Sequence, residues 1–369
     1  MKKFILISPK NRPAYNFRGD LIKDIIAKGY EVIVTGPNQE GVDRITALGA
    51  KFIEVPMNKN GINPFADLRY LNTLRRLMKS EKIDVSLGYT IKPVIYGSIA
   101  AWMAGVKNRT AMITGAGYLF SSNTFKAKII RFISFCLYRM GLAAANNVIF
   151  QNVDDLNEFV AHHLVKESKC SVVNGSGVNM ARFPLAPYPE IPSFFFLGRL
   201  IHSKGGLDFA KAAAIVKKEH PNSRFFMLGK IDPTLDDAIT EEEIRPFIND
   251  GTIELFPESD NIVPYYAQAS VFVLPTAYRE GTPRVILEAL SSGRAIITTN
   301  TPGCKETVVD GENGYFVPAH DPATLAQKMA LFIQIPDIIQ TMGERSYHLC
   351  QTKYEVSLIN NTMLAIMGI

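Results

Sequence analysis

The densest chemical signal in the sequence runs from Tyr278 to Leu290, reading Tyr-Arg-Glu-Gly-Thr-Pro-Arg-Val-Ile-Leu-Glu-Ala-Leu. Thr282 has the side chain of a helix N-cap and Pro283 the fixed φ of a first helical residue, so a helix is expected to begin here. The amides and positive dipole end at such a start suit an anion the size of a diphosphate. Glu280 stands just before that helix and Glu288 more than one turn inside it. A carboxylate accepts two hydrogen bonds from adjacent hydroxyls, so the pair could hold two different diols on either side of one diphosphate. The same residues would equally make a capped surface helix carrying ordinary glutamates.

A second constellation is Gly198-Arg199-Leu200-Ile201-His202-Ser203-Lys204-Gly205-Gly206. Its glycines let backbone approach a ligand, and Arg199 and Lys204 bring fixed positive charge. The glycine and Lys-Ser/Thr spacing of a P-loop is missing, so alone it says only that phosphate is compatible. Gly115-x-Gly117 has part of a dinucleotide fingerprint but lacks its third glycine and the later acidic residue.

Short β-branched and aromatic runs alternate with helical patterns throughout and would position these groups. In the first half the runs are Phe4–Ser8, Glu31–Thr35, Lys51–Val55, Ile83–Gly88, Arg109–Thr114, Asn147–Gln151 and Cys170–Asn174. They are nearly continuous in apolar residues, as expected of strands buried on both faces of a parallel sheet. Helical segments include Gly19–Lys28 and Asn63–Glu81, the latter opened by an Asn N-cap and a Pro. Pro184, Pro187, Pro189 and Pro192 read as an extended linker over 184–192. The alternation resumes with Phe194–Gly198, Arg224–Gly229, Thr252–Phe256, Ser270–Leu274, Arg294–Thr298 and Gly314–Val317. The fold class is therefore α/β: two doubly wound domains over 1–183 and 193–345, facing a central cleft. Residues 346–369 are expected to form a helix that returns to the first domain.

Composition is that of a globular protein, 47% hydrophobic and 20% charged, which excludes a disordered chain. The uncharged run from Pro93 to Val106 is too short to span a bilayer. Phe4 to Ile7 ends at once in Ser8-Pro9-Lys10, so the start reads as a first strand and not a signal peptide. Cys136, Cys170, Cys304 and Cys350 have no paired spacing and read as reduced thiols of a cytosolic protein, without a metal site. The net charge of +5 divides unevenly: residues 1–180 hold 24 Lys and Arg against 13 Asp and Glu, and 181–369 hold 16 against 22. A half at +11 beside one at −6 suggests an anionic partner for the first domain, whether nucleic acid, membrane or phosphorylated substrate. Independent drift in the charge of two domains would give the same imbalance. No recognisable nucleic-acid module accompanies the basic half.

Taken in order, these features resemble the C-terminal domain of the GT-B glycosyltransferases of family 4, the glycosyl transferases group 1. The likeness runs through Phe195-Phe196-Leu197-Gly198-Arg199-Leu200, Lys204-Gly205, Leu274-Pro275, Glu280-Gly281, Glu288-Ala289, Gly293, Gly303, Glu306, Gly311, Asn313-Gly314 and Val317, covering roughly 193–345. It implies a retaining transfer from a nucleotide sugar with no metal and no further cofactor. Carried over, Arg199 and Lys204 hold the donor diphosphate with the loop at Gly198, and the backbone from Gly281 through Thr282 and Pro283 to Arg284 holds it from the other side. Glu280 takes the donor hexose hydroxyls and Glu288 the ribose diol, while Phe256 and Pro257 form the floor or rim for the base. Glu280, Arg199 and Lys204 are the groups acting on the reacting atoms. Here the leaving UDP oxygen, stabilised by Arg199 and Lys204, would help deprotonate the incoming hydroxyl.

The first domain departs from the family in the stretch Pro9 to Gly19, read as a loop, where Asn16-Phe17-Arg18-Gly19 replaces the paired glycines and Arg18 is the candidate substitute charge. Tyr89-Thr90-Ile91-Lys92-Pro93 and Thr114-Gly115-Ala116-Gly117-Tyr118 resemble members that extend lipid-linked oligosaccharides for capsule, O-antigen or bacterial N-glycans. The resemblance makes Arg18, Thr90, Lys92, Gly115, Gly117 and Tyr118 acceptor-binding candidates, with Lys92 on the acceptor diphosphate. His162 and His163, the only histidines of this half, fall on a later helix and no catalytic histidine is expected. From Thr124 to Met140 basic and bulky apolar residues interleave, as in a helix resting on an anionic bilayer, though a helix half-buried on the sheet would show the same pattern. The expectation is transfer of a hexose or N-acetylhexosamine from a UDP-sugar to a polyprenyl-diphosphate-linked saccharide, at the cytoplasmic face of a membrane. A soluble acceptor or a GDP-sugar donor is the alternative, and a basic nucleic-acid- or membrane-binding scaffold is the rival from another class.

Overall fold

The structure is a computed structural model that describes residues 1–58, 63–115, 117, 125–235 and 237–369, with side chains described from 128 onward in the helix that begins at 125. It divides into two compact units, Met1–Ser176 with Val356–Ile369, and Gly177–Glu355.

The first unit is built from β1 (Lys3–Ile7), α1 (Asn11–Ala27), β2 (Glu31–Gly36), α2 (Val42–Thr46), β3 (Lys51–Glu54), α3 (Pro64–Glu81), β4 (Val85–Tyr89), α4 (Ser98–Ala104), β5 (Asn108–Ile113), α5 (Phe125–Ala144), β6 (Asn147–Phe150), α6 (Val153–Ala161) and β7 (Cys170–Val172). The second contains β8 (Ser193–Leu197), α7 (Gly206–Glu219), β9 (Arg224–Leu228), α8 (Glu241–Asn249), β10 (Glu254–Phe256), α9 (Val263–Ala267), β11 (Val271–Leu274), α10 (Arg284–Ser291), β12 (Ala295–Thr299), β13 (Gly314–Val317), α11 (Pro322–Gln334) and α12 (Asp337–Leu349). The last helix, α13 (Val356–Met367), returns to the first unit.

All strands pair in parallel, in the orders β3-β2-β1-β4-β5-β6-β7 and β10-β9-β8-β11-β12-β13. Each order reverses once, between β1 and β4 and between β8 and β11. At such a reversal the loops that leave the two neighbouring strands start side by side at the carboxyl edge of the sheet, the edge at which α/β folds bind ligands. The apolar runs are explained by burial on both faces. In the first unit α1 and α13 cover one face, Leu21, Ile25, Ile359 and Met363 packing with Phe4 and Leu6. The other face takes α3 and α4, with Tyr70, Leu74 and Ala101 against Ile5 and Ile7, and α5 lies beside α4. Polar ties fix α13: the Asn360 amide donates to Asp24 at 2.7 Å, and Asn147 donates to the Ile366 carbonyl at 2.8 Å. In the second unit the Phe194–Phe196 run finds its partners one strand away. Phe194 stacks on Phe225 at 5.1 Å and Phe195 on Phe226 at 4.8 Å, the residues opposite them in register.

Three expectations differ from the structure. The residues 184–192 are not a free connector. Arg294, fully buried, donates to the carbonyls of Ala186 and Pro187 at 2.7 and 3.2 Å, and its guanidinium lies 5.0 Å from the Tyr188 ring centroid. This anchorage makes the proline segment part of the second unit, and the chain divides at Ser176–Gly177. Residues 346–355 also belong to the second unit, where the Tyr354 hydroxyl donates to the Glu306 carbonyl, so only α13 crosses back. Finally, the supposed loop from Pro9 to Gly19 is helical from Asn11. Its N-cap is Lys10, which makes no side-chain cap, so the usual start signal is missing.

Among the described residues no helix is long and apolar enough to cross a membrane. The β12–β13 pairing gives a direct stability test. A Cβ on Gly314 would stand 1.9 Å from the Ile296 carbonyl oxygen. Gly314→Ala should therefore cost about 2 kcal/mol through overpacking and lower the unit's melting midpoint by about 4–8 °C. An unchanged midpoint would mean that β13 does not pair in this register.

Candidate active site

The reversal between β8 and β11 brings together the two constellations singled out in the sequence. The loop after β8 makes a short 3-10 turn at His202–Lys204, and the loop after β11 runs from Pro275 to Pro283. They are clasped through one atom. The Ser203 carbonyl accepts hydrogen bonds from the Ala277 and Tyr278 amides at 2.8 and 3.0 Å and from the Thr276 hydroxyl at 3.0 Å. On its other side the turn is held by Asp237, whose carboxylate accepts from the Ser203 amide at 2.9 Å. Gly205 is required here: its φ is +79° and a Cβ would lie 2.3 Å from the Pro275 carbonyl oxygen.

That clasp sets the charged groups. The Lys204 ammonium donates to the Glu280 carboxylate, and both side chains are largely buried, at 13% and 15% exposure. Tyr278 lies under two cations, with Lys204 Nζ 5.3 Å and the Arg199 guanidinium 5.7 Å from its ring centroid. Arg199 itself is exposed. Burial and then the neighbouring Arg199 charge pull the Lys204 ammonium down to about 8. Cys304 works in the opposite sense, and Lys204 is mostly charged at neutral pH.

Helix α10 starts at Arg284, one residue later than expected, with Pro283 in extended conformation as its N-cap. Thr282, buried, precedes the cap, because proline's ring holds φ near −64° while ψ stays at 113°. Glu288 lies one turn in, buried, and accepts from the Tyr266 hydroxyl at 3.1 Å and from Arg284 Nε at 3.3 Å. Burial pushes its carboxyl up, opposed by Arg284 and by the Tyr266 hydroxyl. Phe256 turns into the core beside Tyr265, ring centroids 5.4 Å apart, while Pro257 after it is exposed.

In the first unit the candidates fall around the ends of β4 and β5. Thr90 adopts the left-handed region at φ 68°, a strained turn for a β-branched residue. Lys92 is committed: it pairs with buried Asp67 at 2.7 Å, and the Tyr96 hydroxyl donates to the same carboxylate at 3.2 Å. Arg18 is inside α1, 3% exposed, with its guanidinium 5.6 Å from the Tyr89 ring and 3.1 Å from the Met112 sulfur. The helix places it on the buried face, which removes it from a loop position. The Tyr89 hydroxyl in turn hydrogen-bonds the Ser8 hydroxyl. Gly115 and Gly117 both have positive φ, 122° and 48°, and Tyr118 lies outside the described residues. His162 and His163 follow α6 and are not part of it, His163 being left-handed at φ 53°.

Comparison with known proteins follows this division. Residues 5–152 match the family model described as Glycosyl transferase 4-like, and residues 191–334 match Glycosyl transferases group 1. The chain is a family 4 glycosyltransferase. It is 27% identical over 334 residues to the N,N'-diacetylbacillosaminyl-diphospho-undecaprenol alpha-1,3-N-acetylgalactosaminyltransferase of Campylobacter jejuni, covering 87% of this chain and 86% of that one. It is 28% identical over 285 residues to the Escherichia coli UDP-Gal:alpha-D-GlcNAc-diphosphoundecaprenol alpha-1,3-galactosyltransferase, covering 72% and 70%. Among solved structures, Anabaena HepE in complex with UDP and glucose superposes with a TM-score of 0.82 at 15% identity over the full length of both chains, which shows the GT-B fold.

Three features of this glycosyltransferase had not been picked out in the sequence: the Tyr278 platform, the Ser203 clasp and the Tyr266 partner of Glu288. Tyr278 is adjacent to Glu280 and open to inspection; Tyr266, on α9, carries no local mark. Because Tyr266 hydrogen-bonds a buried carboxyl, Tyr266→Phe should cost about 1–3 kcal/mol of stability. Thermal unfolding reads this directly, and a variant as stable as the parent would place the Glu288 carboxyl in another environment.

Proposed function

We propose that this glycosyltransferase moves a hexose or N-acetylhexosamine from a UDP-sugar to a polyprenyl-diphosphate-linked saccharide, with retention at the anomeric carbon. The observation that carries the donor half is the junction of Lys204, Arg199 and the start of α10 at one strand-order reversal, with one glutamate in the loop and one inside the helix. Lys204 and Arg199 take the diphosphate, joined by the dipole of α10. Glu288 takes the ribose diol, and Glu280, released from Lys204 as the diphosphate arrives, takes the sugar hydroxyls. The acceptor half is supported by the relatives named above, whose names specify undecaprenol-diphosphate-linked acceptors.

In this reading the bond from C1 of the donor sugar to the UDP oxygen breaks while the acceptor hydroxyl forms a new bond on the same face. The acceptor proton passes to the departing diphosphate oxygen. Lys204, Arg199 and the α10 dipole stabilise the charge that gathers there, so no metal is required. The acceptor's polyprenyl tail places the enzyme at a membrane, peripheral on the cytoplasmic side, with Thr90, Gly115 and Gly117 at strand ends available to the acceptor. Lys92, already paired with Asp67, would have to exchange that partner to reach its diphosphate.

UDP should raise the melting temperature with a chelator present; loss of the shift on chelation contradicts the metal-free site. Above neutral pH, where the UDP phosphates are fully ionised, UDP affinity should fall as pH rises through about 8, because Lys204 deprotonates there in the free enzyme. A flat profile across that window would remove Lys204 from the diphosphate.

The two glutamates should separate in kinetics. Glu288→Ala should weaken UDP by about 1.5–3 kcal/mol, the range for a charged hydrogen bond. Glu280→Ala, which removes the carboxylate that the diphosphate displaces from Lys204, should not weaken UDP binding and should depress transfer to a lipid-linked acceptor. Equal losses of UDP affinity would merge the two roles.

A further inference from the structure

We propose that the outward face of α4 and α5 is the surface on which the enzyme lies against an anionic bilayer, with Trp102 and Phe132 entering the lipid interface. This rests on the membrane-bound acceptor proposed above and names the part of the molecule that meets the membrane. On α5 the buried side is marked by Tyr138, Gly141 and Leu142. The opposite side presents Ile129, Phe132, Ile133 and Met140, exposed by 48%, 70%, 37% and 59%. Those spacings form one helical stripe, so apolar side chains line the face that turns away from the core. Helix α4 packs alongside and adds Trp102 and Met103, both exposed. Bulky apolar residues grouped in this way on a surface mark an interaction site.

Charge identifies the occupant. Between Asp84 and Asp154 the sequence contains no acidic residue and seven lysines and arginines. Lys128 is exposed and Arg131 half-buried on the same two turns of α5 as Ile129 and Phe132. Arg139 is held by the carbonyls of His162 and His163, at 3.0 and 3.1 Å, and anchors the helix instead of facing outward freely. A second copy of the chain would bring the same positive segment to a two-fold contact and be repelled. An anionic bilayer offers both an apolar interior and opposite charge, and tryptophan favours its headgroup level.

Trp102 is the only tryptophan, so its fluorescence reports this face alone. The full chain is mixed with phosphatidylcholine vesicles with and without phosphatidylglycerol, and co-sedimentation is measured in parallel. The proposal expects sedimentation with the anionic vesicles, a blue shift of emission, and quenching by brominated acyl chains. Phe132→Gln with Ile129→Gln should abolish the shift, and Lys128→Gln with Arg131→Gln should weaken vesicle binding about fivefold per residue. Each variant should keep the parent's UDP-induced thermal shift, which reports an intact fold. Sedimentation with unchanged, unquenched Trp102 emission overturns this face while leaving the membrane reading standing. Absence of sedimentation overturns the membrane reading and this surface with it. A lipid-free shift that grows with protein concentration, with doubled mass by light scattering, assigns the face to self-association and overturns the proposal.

Discussion

One carbonyl oxygen, that of Ser203, holds the second unit's chemistry together. It accepts from two amides and a hydroxyl of the loop that follows β11, and thereby joins two segments more than seventy residues apart in sequence. Parallel strand order makes this contact available, because the reversal between β8 and β11 leaves the two loops adjacent with no connection between them. Small residues make it close: a side chain at Gly205 would strike the Pro275 carbonyl, and one at Gly303 would strike the Gly281 carbonyl 2.2 Å away. With the loops fixed, Lys204 meets Glu280 and both cations share the face of Tyr278. Charge is therefore preorganised at the junction of the two loops.

Burial shifts both ionisable groups of this arrangement. Lys204 pays a desolvation cost that lowers its ammonium to about 8, whereas Glu288 is pushed up by the same effect. The two shifts have one cause and opposite consequences for charge: each favours the neutral form of its group.

Much of this was legible in the sequence, for identifiable reasons. Near-continuous apolar runs mark strands covered on both faces, and both sheets are parallel as those runs require. The Asn63-Pro64 start was legible because a cap is local: the Asn63 side chain accepts from the Ala66 amide at 3.2 Å. Helix α1 was misread at its start for the converse reason, since Lys10 caps nothing. Pairings between distant residues left no local trace. Lys92 with Asp67, Lys204 with Glu280 and Arg294 with the proline segment each join separate elements, and each changes what its residue is able to do. The apolar residues of α5 stayed ambiguous until the direction of the helix was known, because stripe and core positions share one periodicity.

The central claim is that one nucleotide site spans the loop after β8 and the start of α10. A crystal structure of the enzyme with UDP tests it most directly. The account predicts diphosphate oxygens within hydrogen-bonding distance of Lys204 Nζ and the first amides of α10, the ribose hydroxyls on Glu288, and Glu280 parted from Lys204. UDP bound elsewhere, or bound with the Lys204–Glu280 pair intact and Glu288 still held only by Tyr266 and Arg284, would contradict it.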